Sequence, residues 1–244
     1  MGAKTVTGER PAFYAQPGSI HGDLFALLHP PYTAWHLSYV AMGAALAPAL
    51  DWTRLAGTIA AFFLGTGIGA HALDEWHDRP LRTSLSNQAL LGLGVGGLAS
   101  AATLAIVGAW LVSPWVLAWA VCGLLLAAGY SLEFHSSLHS DLGFALAWGA
   151  FPTLTGYWAQ AETISLAALL MATVAILTSL AQRSLSTHAR FVRRSVGDMS
   201  VEFEVGGQAR PWSRNDLVTS WELPLQLLTA AMVMLAIALV VLRA

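Results

Sequence analysis

An all-α integral membrane bundle of about seven transmembrane helices is the fold this sequence predicts. Three observations predict it: a composition suited to lipid, seven apolar stretches of spanning length, and positive charge gathered on alternate loops. Hydrophobic residues make up 56% of the 244 and charged residues only 11%, with a mean hydropathy of +0.59. A typical soluble domain carries about 25% charged residues. The length suits one bundle with short connections and leaves no room for a separate soluble domain. The expected organisation is a cytoplasmic segment over residues 1–33, then a transmembrane domain over 34–244 in which 182–222 form a cytoplasmic segment before the last helix.

The apolar stretches lie near Ala34–Leu50, Leu55–Leu73, Ala89–Val112, Trp115–Tyr130, Leu142–Gln160, Ile164–Ala181 and Leu223–Leu242, each near the ~20 residues that a helical span needs. Breakers separate them: Pro30-Pro31, Asp51, Ser113-Pro114 and Glu162. Gly92, Gly94, Gly96 and Gly97 in the third stretch are expected to serve close helix packing. No signal peptide is expected, because Met1 to Pro30 has no sustained apolar core. The single cysteine, Cys122, lies in an apolar run, forms no intramolecular disulfide and reads as a packing residue.

Lys4, Arg10, Arg79, Arg82, Arg183, Arg190, Arg193, Arg194, Arg210 and Arg214 fall on one side of a seven-span map, and only Arg54 and Arg243 on the other. The positive-inside rule then makes the N-terminus and the even-numbered loops cytoplasmic, in a multi-pass protein of the inner (plasma) membrane. A net charge of −2 and a single lysine argue against nucleic acid as a partner. The same map puts His21, His29, His36, His71, His77, His135, His139 and His188 at or near the cytoplasmic side.

Two constellations carry chemistry. HALDEWHDRPLRT runs from His71 to Thr83 at the exit of the second span. On a continuing helix, His71, Asp74, Glu75 and Asp78 share one face at i, i+3, i+4 and i+7, while His77 points elsewhere. Carboxylates there suit Mg²⁺ bridged to phosphate, and an imidazole beside them suits Zn²⁺, Mn²⁺ or Fe. Arg79 and Arg82 follow and could hold a diphosphate; the alternative is a solvated helix cap. YSLEFHSSLHSD, from Tyr130 to Asp141, joins the fourth and fifth spans. Its Glu133 and His139 would face the first cluster if the helix ends adjoin, giving one divalent metal site from His71, Asp74, Glu75, Asp78, Glu133 and His139. The bland reading is a loop bonded to itself. In the third cytoplasmic segment, Gln182–Glu222, the first part reads as an interfacial helix and VEFEV with Gly206-Gly207 as a strand or hairpin, a lid in one reading. His188 reads as structural.

LLHPPYTAWHLSYVAMGAALAP (Leu27–Pro48), HALDEWHDRPLRT, and GYSLEFHSSLHSDLGFALAWGAFPTLTGYW (Gly129–Trp158) together resemble the UbiA-type intramembrane prenyltransferases over roughly Leu27 to Arg183. The family carries N-D-x-x-D-x-x-x-D at the end of its second helix; Ala70, His71, Asp74 and Asp78 take those places here. The resemblance implies a bundle around a central lipid-accessible cavity, and prenyl transfer from a prenyl diphosphate to an isoprenoid or other lipid acceptor with Mg²⁺. It also implies catalytic roles for Asp74, Asp78 and Glu133, and substrate contacts from Arg79, Arg82, Tyr130 and Asp141. The family normally has nine spans and a second Asp-rich motif, where this chain has QRSLSTHARFVRR. A different chemistry is open beside it: the mixed set His71, Asp74, Glu75, Glu133 and His139 resembles in type the shell of a dimetal (Fe or Mn) lipid oxidase, hydroxylase or desaturase. A metal or lipid carrier is the third reading, without a broken-helix repeat to support it. Oligomeric state is not legible in the sequence.

Overall fold

The computed structural model describes residues 11–15, 19–197 and 199–244; Lys4 and Arg10 of the charge map lie outside them. Every apolar stretch is helical over most of its length, the first only as far as Ala45. The elements are α1 (Ile20–Leu27), α2 (Pro30–Ala45), α3 (Trp52–Asp78), α4 (Asn87–Leu111), α5 (Val116–Ser131), α6 (141–161), α7 (Leu166–Ser195), a hairpin of β1 (Ser200–Val205) and β2 (Gln208–Ser213), and α8 (Arg214–Val241). Helix starts follow capping chemistry. Asp51 accepts from the Thr53 and Arg54 amides, Ser86 from Ala89, Ser140 from Gly143 and Ser165 from Ala168. Ser213 and Asp216 form a reciprocal capping box at α8.

α3, α4, α7 and α8 are long and apolar enough to cross a membrane, and their outer faces expose Val95, Ile106, Leu170, Leu177, Leu227 and Met234. That surface suits a membrane protein. α2, α5 and α6 fall short of the same measure. For α2 the reason is its position: Trp35, His36, Tyr39 and Met42 are all buried among other helices, so the helix needs little lipid-facing apolar surface.

The core centres on α2, with Trp35, Tyr39 and Met42 against Ala175 of α7 and Leu225, Met232 and Ala236 of α8. The Tyr39 hydroxyl, fully buried, takes the Trp35 indole N–H at 2.6 Å and meets Thr178 and Ser179 of α7 at 2.7 and 3.0 Å. α2 and α6 cross so closely that a Cβ on Gly43 would fall on the Thr153 carbonyl, and one on Gly156 on the Val40 carbonyl. In α4, Gly94 and Gly97 pack against Leu73 and Gly69 of α3, whereas Gly92 and Gly96 face open space. Only half of that glycine stripe serves helix packing. Cys122 is exposed on the outside of α5.

α7 runs unbroken from Leu166 to Ser195, where the sequence suggested a span followed by a separate interfacial helix. No glycine or proline interrupts it, so the apolar half passes directly into the arginine-bearing half. The hairpin appears where VEFEV and the two glycines placed it, with Gly206 and Gly207 at positive φ in the two-residue turn.

Polar contacts knit the bundle at both ends. At one end Asp51 and Arg54 meet Gln160 and Glu162, and Arg243 reaches the Ala47 and Pro48 carbonyls. At the other, Asp23 holds Ser84, Arg183 holds Asp141, and Arg193 holds Glu222. Both chemistry-bearing loops belong to this second end.

Candidate functional site

α3 contains a π-helical segment, Phe63–Ala70, and returns to α-helix for His71–Asp78. Arg79 in the left-handed region, followed by Pro80, stops it. The loop beyond is held by two residues that the sequence offered as ligand and phosphate binder. Glu75, 0% exposed, accepts from the Leu81 amide at 2.8 Å, the Thr83 amide at 2.8 Å and the Thr83 hydroxyl at 3.0 Å. Arg79 donates to the Thr83 and Leu85 carbonyls at 3.3 and 2.7 Å and to the Asn87 side chain. The proposed four-residue face therefore divides, because Glu75 turns inward to satisfy loop amides that would otherwise be buried without partners.

The two loops do meet, through a set that only partly matches the expected one. His77, Asp78 and Glu133 each offer a ligand atom within 4.8 Å of the others, and all three are exposed. Glu133 is the bridge: it sits just beyond α5 in the left-handed region, and its Oε1 lies 3.5 Å from His139 Nε2. His77, expected to point away, is the imidazole of the group. It follows Glu75 by two residues, so a helix that buries Glu75 presents His77 on nearly the opposite side. Arg183 of α7 fixes the second loop by donating to Asp141 at 2.6 Å, the Tyr130 hydroxyl at 2.9 Å and the His139 carbonyl at 2.6 Å. His139 stacks on Tyr130 with ring centres 4.2 Å apart. Tyr130 and Asp141, expected to contact substrate, here position this loop.

His71 and Asp74 belong to a separate inner chamber. The His71 ring lies 4.4 Å from that of His29, and its Nδ1 is 3.3 Å from the Gly67 carbonyl. His29 Nδ1 is 2.7 Å from the Tyr14 hydroxyl. Burial and the neighbouring cations hold His29 neutral, well below the ordinary imidazole value, and burial pushes the Tyr14 phenol up. Arg190 and Arg194 of α7 act electrostatically on Asp74, and Arg82 on Arg194. His36 is pinned by its Nδ1, 2.8 Å from the Trp148 carbonyl. His188 bonds the Ser184 carbonyl at 2.7 Å and lies against Trp221, a structural placement.

His77, Tyr14, His29, Arg190 and Arg194 are the members that sequence reasoning left out. The signals available were a histidine directly before Pro30-Pro31 and the i, i+4 arginine pair in RFVRR.

Between α3, α4, α5 and α6 lies an apolar cavity of about 530 Å³, lined by aromatic residues including Phe62, Trp119, Phe151 and Trp158. Its wall includes Val107 and Leu111, exposed on the outer face of α4, so it reaches the lipid-facing surface. Trp148 lines its inner end and touches Tyr130, with ring centres 5.3 Å apart, while Asp51, Thr53 and Arg54 line its other end, opposite the two chemistry-bearing loops. Compared with family models, curated proteins and solved structures, the chain matches none.

Proposed function

We propose that this chain is a multi-pass membrane enzyme in which His77, Asp78 and Glu133 hold a divalent ion at one end of a bundle whose apolar cavity takes the lipid chain, and that its reaction is prenyl transfer from a prenyl diphosphate to a lipid acceptor. The observation that carries the reading is the convergence of the two loops at one ligand-sized cluster, in a bundle whose apolar cavity of about 530 Å³ reaches the lipid-facing surface and ends inward at Trp148, which touches Tyr130 of the second loop's helix. Cavities of 300–1,000 Å³ suit small organic ligands. The likeness of Leu27–Arg183 to the UbiA-type enzymes supports the same reading, with Mg²⁺ as the expected ion. The arginine-rich end is read as cytoplasmic and the seven helices as seven crossings.

A divalent ion in the cluster supplies charge neutralisation for a departing diphosphate. The residues do the rest. In this reading apolar walls hold the prenyl tail and exclude water, and the Trp148 and Tyr130 rings, which pack edge to face, stabilise the positive charge that develops on the allylic carbon. Asp74 accepts the acceptor's proton in the same reading. One observation favours a second reading: the imidazole of His77 in the cluster suits Fe or Mn better than Mg²⁺, as a lipid oxidase or hydroxylase requires.

The test is purification without added metal, metal analysis, and incubation with a prenyl diphosphate and Mg²⁺ or Mn²⁺ while following diphosphate release and prenylated product by mass spectrometry. Turnover that disappears in Glu133→Gln is expected. Tightly bound iron or manganese with no diphosphate release would favour the oxidative reading. Failure to bind any divalent ion, with or without prenyl diphosphate, would refute both.

A further inference from the structure

A second and smaller cavity of about 40 Å³ lies beneath residues 11–14, walled by Tyr14, His29, Tyr32, Arg190 and Arg194. Four buried side-chain polar atoms lack a partner among the described residues, and two of them, His29 Nε2 and Arg194 Nε, belong to this wall. A buried donor left unmet is costly, so two such nitrogens in one cavity indicate an occupant. Charge specifies its sign. Arg193 also lines the cavity but is matched to Glu222 through contacts of 2.5 and 2.6 Å, whereas Arg190 and Arg194 line it without an ion pair to a carboxylate among the described residues and act electrostatically on Asp74. Arg82 adds positive charge to Arg194 from the neighbouring loop. The unmet Arg194 nitrogen is a donor. The His29 nitrogen becomes one when the Tyr14 hydroxyl donates to Nδ1. Size narrows the ligand, since the volume admits about three water-sized centres at 10–15 Å³ each, the scale of one tetrahedral oxyanion.

We propose that this cavity is a binding site for a single phosphate oxyanion, held by Arg194 and Arg190 with His29 and Tyr14 completing its donors. The group is either free phosphate or the terminal phosphate of a lipid. The site does not depend on the metal reading, because none of its donors belongs to the His77, Asp78 and Glu133 cluster.

The experiment uses full-length protein in phosphatidylcholine nanodiscs with EDTA, so that the metal cluster is empty. Inorganic phosphate is titrated against chloride at matched ionic strength, with thermal unfolding and tryptic resistance of the N-terminal segment as readouts. Phosphate is expected to raise the unfolding temperature of wild type. Loss of a charged donor should weaken phosphate binding at least about tenfold in Arg194→Gln, and loss of one hydroxyl about three- to tenfold in Tyr14→Phe. Tyr14→Phe keeps the ring packing and serves if the arginine variant does not fold. A parallel arm replaces inorganic phosphate with phosphatidic acid in the nanodiscs; stabilisation only there assigns the oxyanion to a lipid headgroup in the same site. No stabilisation in either arm, or equal stabilisation of wild type and both variants, overturns the proposal.

Discussion

Replacing Glu75 separates two roles that its sequence position suggested equally well. Its two oxygens accept three hydrogen bonds from Leu81 and Thr83, and its side chain is fully buried. Hydrogen bonds to a charged group are worth about 1.5–3 kcal/mol each, and donors left buried without a partner cost about 1–3 kcal/mol each. These terms overlap, and the loop can relax toward water, so Glu75→Ala should cost about 3–5 kcal/mol in total, as for breaking other buried charged contacts. Glu75→Gln should cost about 1–3 kcal/mol: its amide keeps one acceptor but turns an NH₂ toward a backbone N–H that needs an acceptor. Reversible unfolding in mixed micelles measures both. Tryptic cleavage after Arg82, exposed on the same loop, should accelerate in the same order. Equal stability of wild type and Glu75→Ala, within about 0.5 kcal/mol, together with unchanged cleavage, would refute the clasp, since that is the range of ordinary surface changes. If EDTA lowers wild-type stability by as much as Glu75→Ala does, and has no effect on that variant, Glu75 is a metal ligand instead.

Three further outcomes are expected. Glu133→Gln and His77→Gln should each weaken Mn²⁺ binding at least about tenfold, read by electron paramagnetic resonance, with little change in unfolding temperature because both side chains are exposed; unchanged affinity would sink the cluster. Gly43→Val should destabilise the bundle by about 2–4 kcal/mol or prevent folding, because its side chain would meet the Thr153 carbonyl on α6, whereas Gly92→Val, facing open space, should be close to neutral; reversal of that order would contradict the α2–α6 crossing. Cysteines placed at Ser137 and Arg193 should resist an impermeant thiol reagent on intact cells while one at Glu162 reacts, and labelling of Ser137 from outside would reverse the topology.

Apolar stretches of the right length, bounded by Pro30-Pro31, Asp51 and Ser113-Pro114, made every long helix legible, because burial in lipid leaves the backbone few alternatives. The meeting of Asp78 with Glu133 was also legible, since helices alternating in direction return those two loops to one end. The face of each helix was not. The periodicity of an isolated helix says that Glu75 and His77 lie on different sides, but not which side the loop occupies; the Leu81 and Thr83 amides decide that, and they are paired only in the folded chain. The inner chamber was hidden for a related reason. Tyr14, His29, His71 and Arg194 come from four separate parts of the sequence, and each alone looks like an interfacial residue.

The π-helical segments explain why regular periodicity fails at the site in particular. α3 carries one over Phe63–Ala70, directly before His71–Asp78, and α6 carries another over Leu146–Ala150, which contains Trp148. An α-helix turns about 100° per residue, so each residue that a π segment adds rotates everything beyond it by about that angle relative to the regular helix. Extrapolation of the apolar face of Trp52–Phe62 therefore does not carry through to His71 and Asp78. The glycines Gly65, Gly67 and Gly69 in the α3 segment leave room for Ala101 of α4, Thr33 of α2 and Leu98 of α4, respectively, to pack against the wide turns. The α6 segment is enclosed in the same way, with Gly149 against Ala175 and Ser179 of α7. π turns are rare and collect at functional sites. In this bundle they lie where the apolar cavity ends and the polar chamber begins. There they turn Trp148 toward the cavity and set His71 and Asp74 behind the exposed cluster of His77, Asp78 and Glu133. The change of pitch sets which way His71–Asp78 faces as a unit, and the regular helical spacing within it parts His71 from His77.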